Sequence, residues 1–369
     1  MLLKKPSFVW VMSLLIASVV FGGCKPRLEV DCVDLTAATH PDATIKIAVE
    51  DLEVIKQATT GVPEAEEQWL QKTTFFAPES NWGTWLTMLE IQPRLEMEMY
   101  AESPIPLPSE TELQGFLLIR NAWKKPHTLR IIFLIDFQQV HVLQGASPSY
   151  YYDFPLVEPQ EDRGVKFSLP TLSEGFHQLS ILTITDAGDD STDNDYRFLQ
   201  QKSFSEQRYD LWIGNTLRPS DAPFFDYPEL GMVASNRFAN IQVIRSPNDK
   251  ASQPLETLSL QAEQKTCLNL RFFNAPPEAD TTGVDAMPLH IAVFWDDELS
   301  EIVDYDFPPD APENLTLPIK VKAPSEAGSY QLGIVVFTFP GYSQFKSIGE
   351  RTGFPMGAFS RRILVEVQP

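Results

Sequence analysis

The densest group of residues that could bind a ligand is an acidic run, DAGDDSTDNDY, at 186–196. Ca²⁺ takes about six to eight oxygen ligands, and closely spaced carboxylates on one loop can supply several of them. The candidate calcium ligands are Asp186, Asp189, Asp190, Asp193 and Asp195. Their spacing differs from that of an EF-hand loop, and a solvated hairpin tip is the alternative. Calcium is therefore a candidate cofactor, and the sequence requires none.

Two further features could take part in binding. Tyr150, Tyr151 and Tyr152 are consecutive, and exposed aromatic rings stack on sugars or act as hot spots for proteins. Because successive side chains of a strand point to opposite faces, the three rings cannot all point inward. Packing in a core or an interdomain seam is the alternative. A second acidic run, at 296–313, is predicted to be a charged sheet edge that blocks association with other strands.

The histidines limit the search for hydrolytic chemistry. The five are His40, His127, His141, His177 and His290. No G-x-S-x-G elbow, no H-E-x-x-H zinc pair and no glycine-rich phosphate loop is present in the sequence. We therefore predict a protein without enzymatic activity.

The N-terminus contains the three parts of an export signal in their usual order. Lys4 and Lys5 precede an uncharged apolar run at 8–21, and two glycines then lead to Cys24. The run has about 14 residues, shorter than the ~20 of a membrane-spanning helix. This arrangement resembles the lipobox of bacterial lipoprotein precursors, although Phe21 stands where leucine is usual. The resemblance implies that Cys24 is acylated, with palmitate among the expected chains, and becomes the mature N-terminus. An ordinary signal peptide is the alternative.

The net charge of the chain indicates which part of the protein contacts the membrane. The net charge is −21 at pH 7 and becomes more negative when the two signal lysines are removed. An acidic body repels nucleic acid and anionic lipid surfaces, so the lipid is expected to be the membrane contact. The expected location is the cell membrane or outer membrane, with the body facing the periplasm or the exterior. An unidentified protein or envelope polymer is the expected partner, and the oligomeric state stays open.

An internal repeat organises the rest of the chain. RNAWKKPHTLRIIFLID at 120–136 resembles FNAPP and MPLHIAVFWDD in the second half. LPTLSEGFHQLSILT at 169–183 likewise resembles VKAPSEAGSYQLGIV at 321–335, with a shared Ser-Glu, Gly and Gln-Leu. In this alignment, His177 is equivalent to Tyr330. A position that accepts either ring is expected to serve packing rather than catalysis.

Apolar alternation predicts that each copy is built from strands. Leu129, Ile131 and Phe133 alternate with period two, as do Leu289 and Ile291 in the second copy. The positions between them at 129–137 are partly apolar as well, which predicts central strands covered on both sides or beside a neighbouring domain. About seven short strands per copy are typical of an immunoglobulin-like sandwich. The antibody Cys–Trp–Cys pattern is absent, so the copies resemble fibronectin type III or CARDB-type bacterial modules.

The predicted fold class is all-β, with two tandem immunoglobulin-like β-sandwiches and a small α+β N-terminal region. The predicted parts are a signal peptide at 1–23, an N-terminal region at 24–92 that forms a small α+β cap or a linker, sandwich 1 at 93–215, a Pro-rich linker at 216–238 and sandwich 2 at 239–369. In the N-terminal region, Ile45, Ile47 and Val49 predict a strand, and 62–71 predicts a helix. Cys32 and Cys267 could pair or remain free thiols.

The preferred function is that of a non-enzymatic surface lipoprotein, a binding or scaffold module with its sandwiches arranged as an elongated rod. The alternative is a carbohydrate-related envelope enzyme, or an accessory subunit of one, with its site at the domain seam. A deep pocket lined by acids and a histidine from different segments would favour the alternative. Shallow grooves alone would favour the first.

Overall fold

A computed structural model describes residues 31–49, 85–92, 105–109, 112–121, 123–144, 147–159, 161–189, 191, 204–214, 240–244, 253–273, 286–311, 314–343, 345–347, 350–351 and 357–369. Within these ranges the chain is all-β and contains no helix. Residues 33–369 form one compact unit. Its hydrogen-bonded sheets build two β-sandwiches.

The strands are numbered in chain order. The region up to residue 92 contributes β1 (Val33–Asp34), β2 (Thr36–Ala37), β3 (Thr44–Val49) and β4 (Trp85–Gln92). The rest of the first copy contributes β5 (Ile105–Leu107), β6 (Gln114–Asn121), β7 (His127–Ile135), β8 (Gln138–Gln139), β9 (His141–Gln144), β10 (Ser147–Ser149), β11 (Tyr152–Val157), β12 (Asp162–Ser168), β13 (Gly175–Thr185) and β14 (Ser205–Ile213). The second copy contributes β15 (Asn240–Ile244), β16 (Thr257–Gln261), β17 (Lys265–Phe273), β18 (Met287–Trp295), β19 (Glu298–Phe307), β20 (Thr316–Lys322), β21 (Gly328–Thr338), β22 (Phe345–Ser347), β23 (Glu350–Arg351), β24 (Ala358–Phe359) and β25 (Ile363–Gln368).

Sandwich 1 has an outer sheet and a seam sheet. The outer sheet has the order β10-β9-β3-β12-β6-β4, and the seam sheet has the order β11-β7-β13-β14-β5 with β8 beside β7. Leu129, Ile131 and Phe133 point from β7 into the core between the sheets, where Leu117 and Val165 meet them from the outer sheet. The period-two pattern thus fills the core as predicted.

Sandwich 2 repeats this plan. Its outer sheet has the order β1-β20-β17-β15, and its seam sheet has the order β2-β19-β18-β21-β25-β16 with β24 beside β21. The run β19-β18-β21-β25-β16 matches β11-β7-β13-β14-β5 strand for strand, and in both runs the last strand is parallel to its neighbour. Two packed, mainly antiparallel sheets in this order form an immunoglobulin-like fold. The repeat and the fold class are confirmed.

The described strands of the N-terminal region belong to both sandwiches. Strand β3 pairs with β12 of sandwich 1, whereas β1 pairs with β20 and β2 with β19 of sandwich 2. Ile45 and Ile47 are buried in the core of sandwich 1, as their alternation predicts. These strands are therefore not part of a separate cap, because their hydrogen-bonding partners lie in both copies. The predicted helix at 62–71 and the linker at 216–238 lie outside the described residues.

The two sandwiches pack face to face rather than end to end. The residues that lie between the core positions of the seam sheets form a third apolar cluster. Its buried members are Ile132, Leu134, Phe137, Leu182, Ile184 and Ala187 from sandwich 1 and Ala292, Phe294, Leu299, Val335, Phe337 and Phe359 from sandwich 2. This is why the strands at 129–137 are apolar on both faces. The expected end-to-end rod is wrong, since each seam sheet is covered on its second face by the other sandwich.

The structure answers whether the two cysteines Cys32 and Cys267 are bonded or free. Cys32 and Cys267 are disulfide-bonded. This settles the choice between free thiols and a bonded state that the sequence leaves open.

Candidate functional site

Polar side chains make hydrogen bonds across the seam between the sandwiches. Equivalent residues of the two copies make equivalent contacts with the opposite sandwich. Gln178 of sandwich 1 donates to the Tyr342 carbonyl at 2.8 Å and accepts from the Gly341 amide at 2.8 Å. Its repeat equivalent, Gln331 of sandwich 2, donates to the Asp189 carbonyl at 3.3 Å. Each glutamine therefore binds the loop that follows the equivalent strand of the other copy. Reciprocal contacts of this kind are typical of a two-fold interface, here within one chain.

Two arginines extend the same reciprocity. Arg208 donates to the Thr338 carbonyl, and its equivalent Arg362 donates to the Ala187 carbonyl at 2.7 Å. Arg208 is also paired with Glu206 at 2.7 Å, and both side chains are almost completely buried. Buried charges need such partners because their transfer from water is costly.

A glycine allows the closest approach across this network. The Gly357 amide donates to the second carboxylate oxygen of Glu206 at 2.7 Å. A Cβ at Gly357 would lie 2.5 Å from that oxygen and 2.8 Å from the Val336 carbonyl. Any larger residue would therefore push Glu206 away from the seam.

One end of the seam is closed by a charged cluster. Arg130 of β7 binds Asp153 of β11 at 2.7 Å and reaches across to Asp297 of sandwich 2 at 2.7 Å. Asp297 also binds Arg362, so one carboxylate joins two guanidinium groups. The guanidinium carbon of Arg130 lies 3.5 Å from the centre of the Tyr151 ring. Burial lowers the pKa of Arg130, but its hydrogen bonds to the two aspartates outweigh burial and raise it above its usual range.

The other end of the seam has equivalent strand positions with different residues. His290 of β18 faces Asp304 of β19, as Arg130 faces Asp153. Nδ1 of His290 lies 2.7 Å from an Asp304 carboxylate oxygen. The turn position equivalent to Asp297 is Phe137, whose ring centre lies 5.7 Å from that of His290. Phe137 and His290 thus occupy the positions that the ion-paired Asp297 and Arg130 occupy at the first end.

A pocket of ≈ 610 Å³ opens at this second end. Its walls come from both sandwiches. They include the aromatic residues Phe137 and Phe176 and the acidic residues Asp136, Asp304 and Asp306. Its volume lies within the range of about 300–1,000 Å³ that is usual for small-ligand sites. We take this seam pocket as the candidate functional site.

The seam pocket contains a polar atom without a partner. Nε2 of His290 is buried and makes no hydrogen bond within the described part of the chain. The side chain is only 10% exposed, whereas that of Asp304 is 84% exposed. Nδ1 is engaged by the Asp304 carboxylate, so Nε2 is the ring nitrogen left without a partner. Orphaned buried acceptors are costly and commonly mark functional positions.

Two tight turns set the ends of the seam. Asp136 and Phe137 have φ of 50° and 63°, and the equivalent Asp296 and Asp297 have φ of 50° and 69°. Two-residue hairpins need positive φ at both turn positions, which is unusual for a bulky residue such as phenylalanine. The first aspartate of each turn accepts a hydrogen bond from the backbone amide of Gln178 or Gln331. These turns hold Phe137 and Asp297 against the opposite sandwich.

Near the pocket, Ser173, His177 and Asp136 form a chain of contacts like that of a hydrolase triad. Nδ1 of His177 lies 2.7 Å from Asp136, and Nε2 lies 3.3 Å from the Ser173 hydroxyl. Nε2 also lies 3.0 Å from the Ser173 carbonyl oxygen, which can only accept. Nε2 therefore carries a proton, whereas a general base needs this atom free. The hydrogen bond to Asp136 raises the pKa of His177, although burial opposes it.

The second copy explains this contact. The Tyr330 hydroxyl donates to the Glu326 carbonyl at 3.0 Å, as His177 does to the carbonyl of Ser173. In both copies a ring at the same position closes the turn that ends in Gly175 or Gly328. His177 therefore has a structural role here.

The three consecutive tyrosines have three different environments. Tyr152 is buried in the core of sandwich 1. Tyr151 stacks on Arg130 at the closed end of the seam. The Tyr150 ring lies 4.5 Å from His141 and 4.7 Å from His40, centre to centre. Burial and the nearby Glu298 raise the pKa of Tyr150. The rings do not form one exposed platform.

The acidic loop is only partly described. Asp186 accepts hydrogen bonds from the Thr128 amide at 2.9 Å and faces His127 at 2.6 Å. Burial raises its pKa, but these hydrogen bonds outweigh burial and lower it. Asp189 accepts from the Ser191 amide at 2.8 Å. In the described part of the chain, no three His, Cys, Asp or Glu side chains are placed to hold a metal. The calcium candidates Asp190, Asp193 and Asp195 lie outside it.

The lipidation candidate Cys24 also lies outside the described residues. In the ranges that are described, no helix has the length and apolar character needed to cross a membrane.

Sequence analysis missed most of the seam pocket. The acidic run at 296–313 was assigned to a protective sheet edge, yet Asp304 and Asp306 line the pocket. The shared Gln-Leu of the repeat was a usable signal, because both glutamines bind across the seam. Phe137 and His290 carried no signal, since their partners come from the opposite copy.

No protein-family model matches the sequence, and a search of curated proteins finds no match. Among solved structures, the chain is similar to the CARDB domain of a Pyrococcus furiosus protein in complex with di-metal ions, with 9% identity, a TM-score of 0.24, and coverage of 37% of this chain and 98% of that one. It is also similar to the D1–D4 ectodomain fragment of ICAM-5, with 11% identity, a TM-score of 0.21, and coverage of 76% and 51%. Red sea bream transglutaminase matches with 8% identity, a TM-score of 0.20, and coverage of 84% and 34%. These likenesses are distant, and the fold assignment rests on the chain's own strand order.

Proposed function

We propose that this protein is a non-enzymatic, lipid-anchored binding module of the bacterial cell envelope, in which two immunoglobulin-like sandwiches act as one rigid body. The observation that supports it is the seam, where a buried apolar cluster and reciprocal hydrogen bonds join the sandwiches. Such networks restrict domain motion because opening them leaves buried charges without partners. A rigid body presents a fixed surface to a partner.

Anchoring and location rest on the sequence. The apolar run and Cys24 support export and acylation, which would hold the body at the cell membrane or outer membrane, facing the periplasm or the exterior. The net charge of −21 makes a protein or an envelope polymer a better partner than nucleic acid.

Replacement of the lipidated cysteine tests the anchor. Cells that express Cys24→Ser should show the protein in the soluble fraction, without incorporation of an alkyne-palmitate label. The neighbouring Lys25→Ala variant is the control and should stay labelled and membrane-bound. Cys24→Ser protein that remained on the membrane and carried the label would contradict the anchor.

Crosslinking in the native envelope tests the binding role. The wild-type protein should capture a protein or a polymer fragment that is identifiable by mass spectrometry. Capture should fall in Cys24→Ser cells if tethering brings the partner close. Recovery of uncrosslinked protein alone would count against a binding module.

A second candidate is an envelope enzyme with its site at the seam. The seam pocket favours it, because three carboxylates and a histidine from distant segments line it. The lining residues that could serve as nucleophile, acid or base are these aspartates and His290. Hydrolysis of isolated envelope polysaccharide, measured as new reducing ends, distinguishes the two. Turnover that is lost in Asp304→Asn would establish the enzyme, and its absence would favour binding.

A further inference from the structure

We propose that the seam pocket binds a guanidinium group, supplied by an arginine side chain of a partner protein. This inference rests on the proposed function as a binding module and names the chemistry of its site. The evidence for it is a comparison of equivalent positions at the two ends of the seam.

At the closed end, the chain supplies its own guanidinium. Arg130 binds Asp153 from the adjacent strand, crosses the seam to Asp297 and stacks on Tyr151. The elements that hold it are therefore a carboxylate on the neighbouring strand, a second carboxylate and an aromatic face. These match the geometry that a planar, five-donor guanidinium prefers.

At the pocket end, the carboxylate on the neighbouring strand and an aromatic face are present, but the arginine is replaced. His290 occupies the Arg130 position, and its shorter side chain ends at Nδ1, which binds Asp304. Asp304 corresponds to Asp153 and is largely exposed to solvent. The pocket of ≈ 610 Å³ is lined by His290, Asp304 and Phe137, the residues that stand where the closed end has Arg130, Asp153 and Asp297.

The charges around the pocket favour a cation. Asp304 and Asp306 are exposed on one wall. Asp136 is paired with His177, whose pKa is raised by that contact. Arg208, which lies 4.8 Å from the Phe137 ring, is already bound to Glu206. An incoming cation thus meets two acids in excess of the cations nearby.

The aromatic walls favour a guanidinium over an ammonium. Phe137 and Phe176 line the pocket. A guanidinium stacks on such rings and still donates at its edge to carboxylates, whereas an ammonium is a compact and strongly hydrated charge. The unpartnered Nε2 of His290 is an additional polar atom among the lining residues.

The experiment uses the purified mature protein in detergent micelles and isothermal titration calorimetry. The probe is N-acetyl-arginine amide, with N-acetyl-citrulline amide as its uncharged isostere and N-acetyl-lysine amide as the ammonium. The arginine probe should bind with a Kd of about 1 mM. The citrulline probe should bind at least about tenfold more weakly, and the lysine probe several-fold more weakly.

Three variants test the location. Asp306→Asn, at an exposed position, should weaken arginine binding several-fold without affecting folding. His290→Arg places the residue found at the closed end beside Asp304 and should abolish probe binding, because its own guanidinium would occupy the Asp304 carboxylate. Asp310→Asn, an exposed acid outside the pocket, is the matched control and should bind as wild type does.

Several outcomes would overturn the inference. These are no heat with the arginine probe, equal affinity for the citrulline probe, or unchanged binding in Asp306→Asn. If His290→Arg fails to give a cooperative melt, Asp306→Asn decides the location alone. A protein that is anchored and captures a partner by crosslinking but binds no arginine probe would overturn this inference and leave the proposed function intact.

Discussion

His177 and Tyr330 show how a residue with catalytic potential can be assigned from its repeat equivalent. Both rings donate to a backbone carbonyl four residues earlier. The sequence alone gives the alignment and hence the structural role of the position. The contact of His177 with Asp136 does not follow from the sequence, because the two residues meet only when β7 and β13 pair.

The pH dependence of stability tests this assignment. Because Asp136 raises the folded-state pKa of His177, the contribution of the pair is fully present below the unfolded pKa of about 6.5 and is lost as pH rises through the raised value. His177→Tyr should keep the turn bond, as Tyr330 does, and remove this titration. The difference in free energy of unfolding between wild type and variant, measured by urea denaturation from pH 5.5 to 8.5, should therefore decline with pH.

Asp136→Asn provides the control for this titration. It removes the charge that raises the pKa and should flatten the same difference. A wild-type profile that runs parallel to both variants would show that the Asp136–His177 pair does not contribute.

At the scale of elements, the strands could be predicted and their partners could not. Alternation at Ile45 and Ile47 predicts β3, but its neighbours β12 and β9 lie about 100 residues further along the chain. Register between such distant strands depends on which faces become buried in the whole fold. The N-terminal region therefore suggests a separate cap in the sequence and supplies strands to both sandwiches in the structure.

Adjacent residues of β3 provide a matched test of this integration. Ile45 is fully buried in the core of sandwich 1, and its neighbour Lys46 is exposed. Ile45→Ala should reduce the free energy of unfolding by about 2–5 kcal/mol, through lost burial and the cavity left behind. Lys46→Ala should change it by less than about 0.5 kcal/mol. Equal, small effects in urea denaturation would mean that the strand does not belong to the core.

At the scale of the whole molecule, apolar residues on both faces of 129–137 indicate a covering neighbour but not its identity. The structure shows that the neighbour is the other copy, in a face-to-face arrangement. Tandem modules joined end to end would leave these second faces in water. The seam also explains why the copies keep Gln178 and Gln331, whose side chains bind each other's sandwich.

Cleavage of the connecting segment tests whether the seam holds the sandwiches together without the chain. An engineered protease site at 218–231 would be cut with a reductant present, because Cys32 and Cys267 are disulfide-bonded. The two fragments should still co-elute in gel filtration and unfold in one transition, since the apolar cluster, the buried polar bonds and strands β1 and β2 all cross between them. Modules that behave as separate beads would instead elute apart.

The same cut protein with Asp297→Asn measures what the closed end contributes. The substitution leaves Arg130 and Arg362 facing a neutral amide in a buried position. Removing one partner of a buried ion pair costs about 3–5 kcal/mol, which corresponds to a roughly 10²- to 4 × 10³-fold weaker association of the fragments, since about 1.4 kcal/mol is a factor of ten. Asp310→Asn, an exposed acid away from the seam, should leave the association unchanged. If Asp297→Asn fragments associated as tightly as the wild type, the ion pairs of Asp297 would contribute nothing net, and the apolar cluster, the other polar bonds and strands β1 and β2 would account for the association.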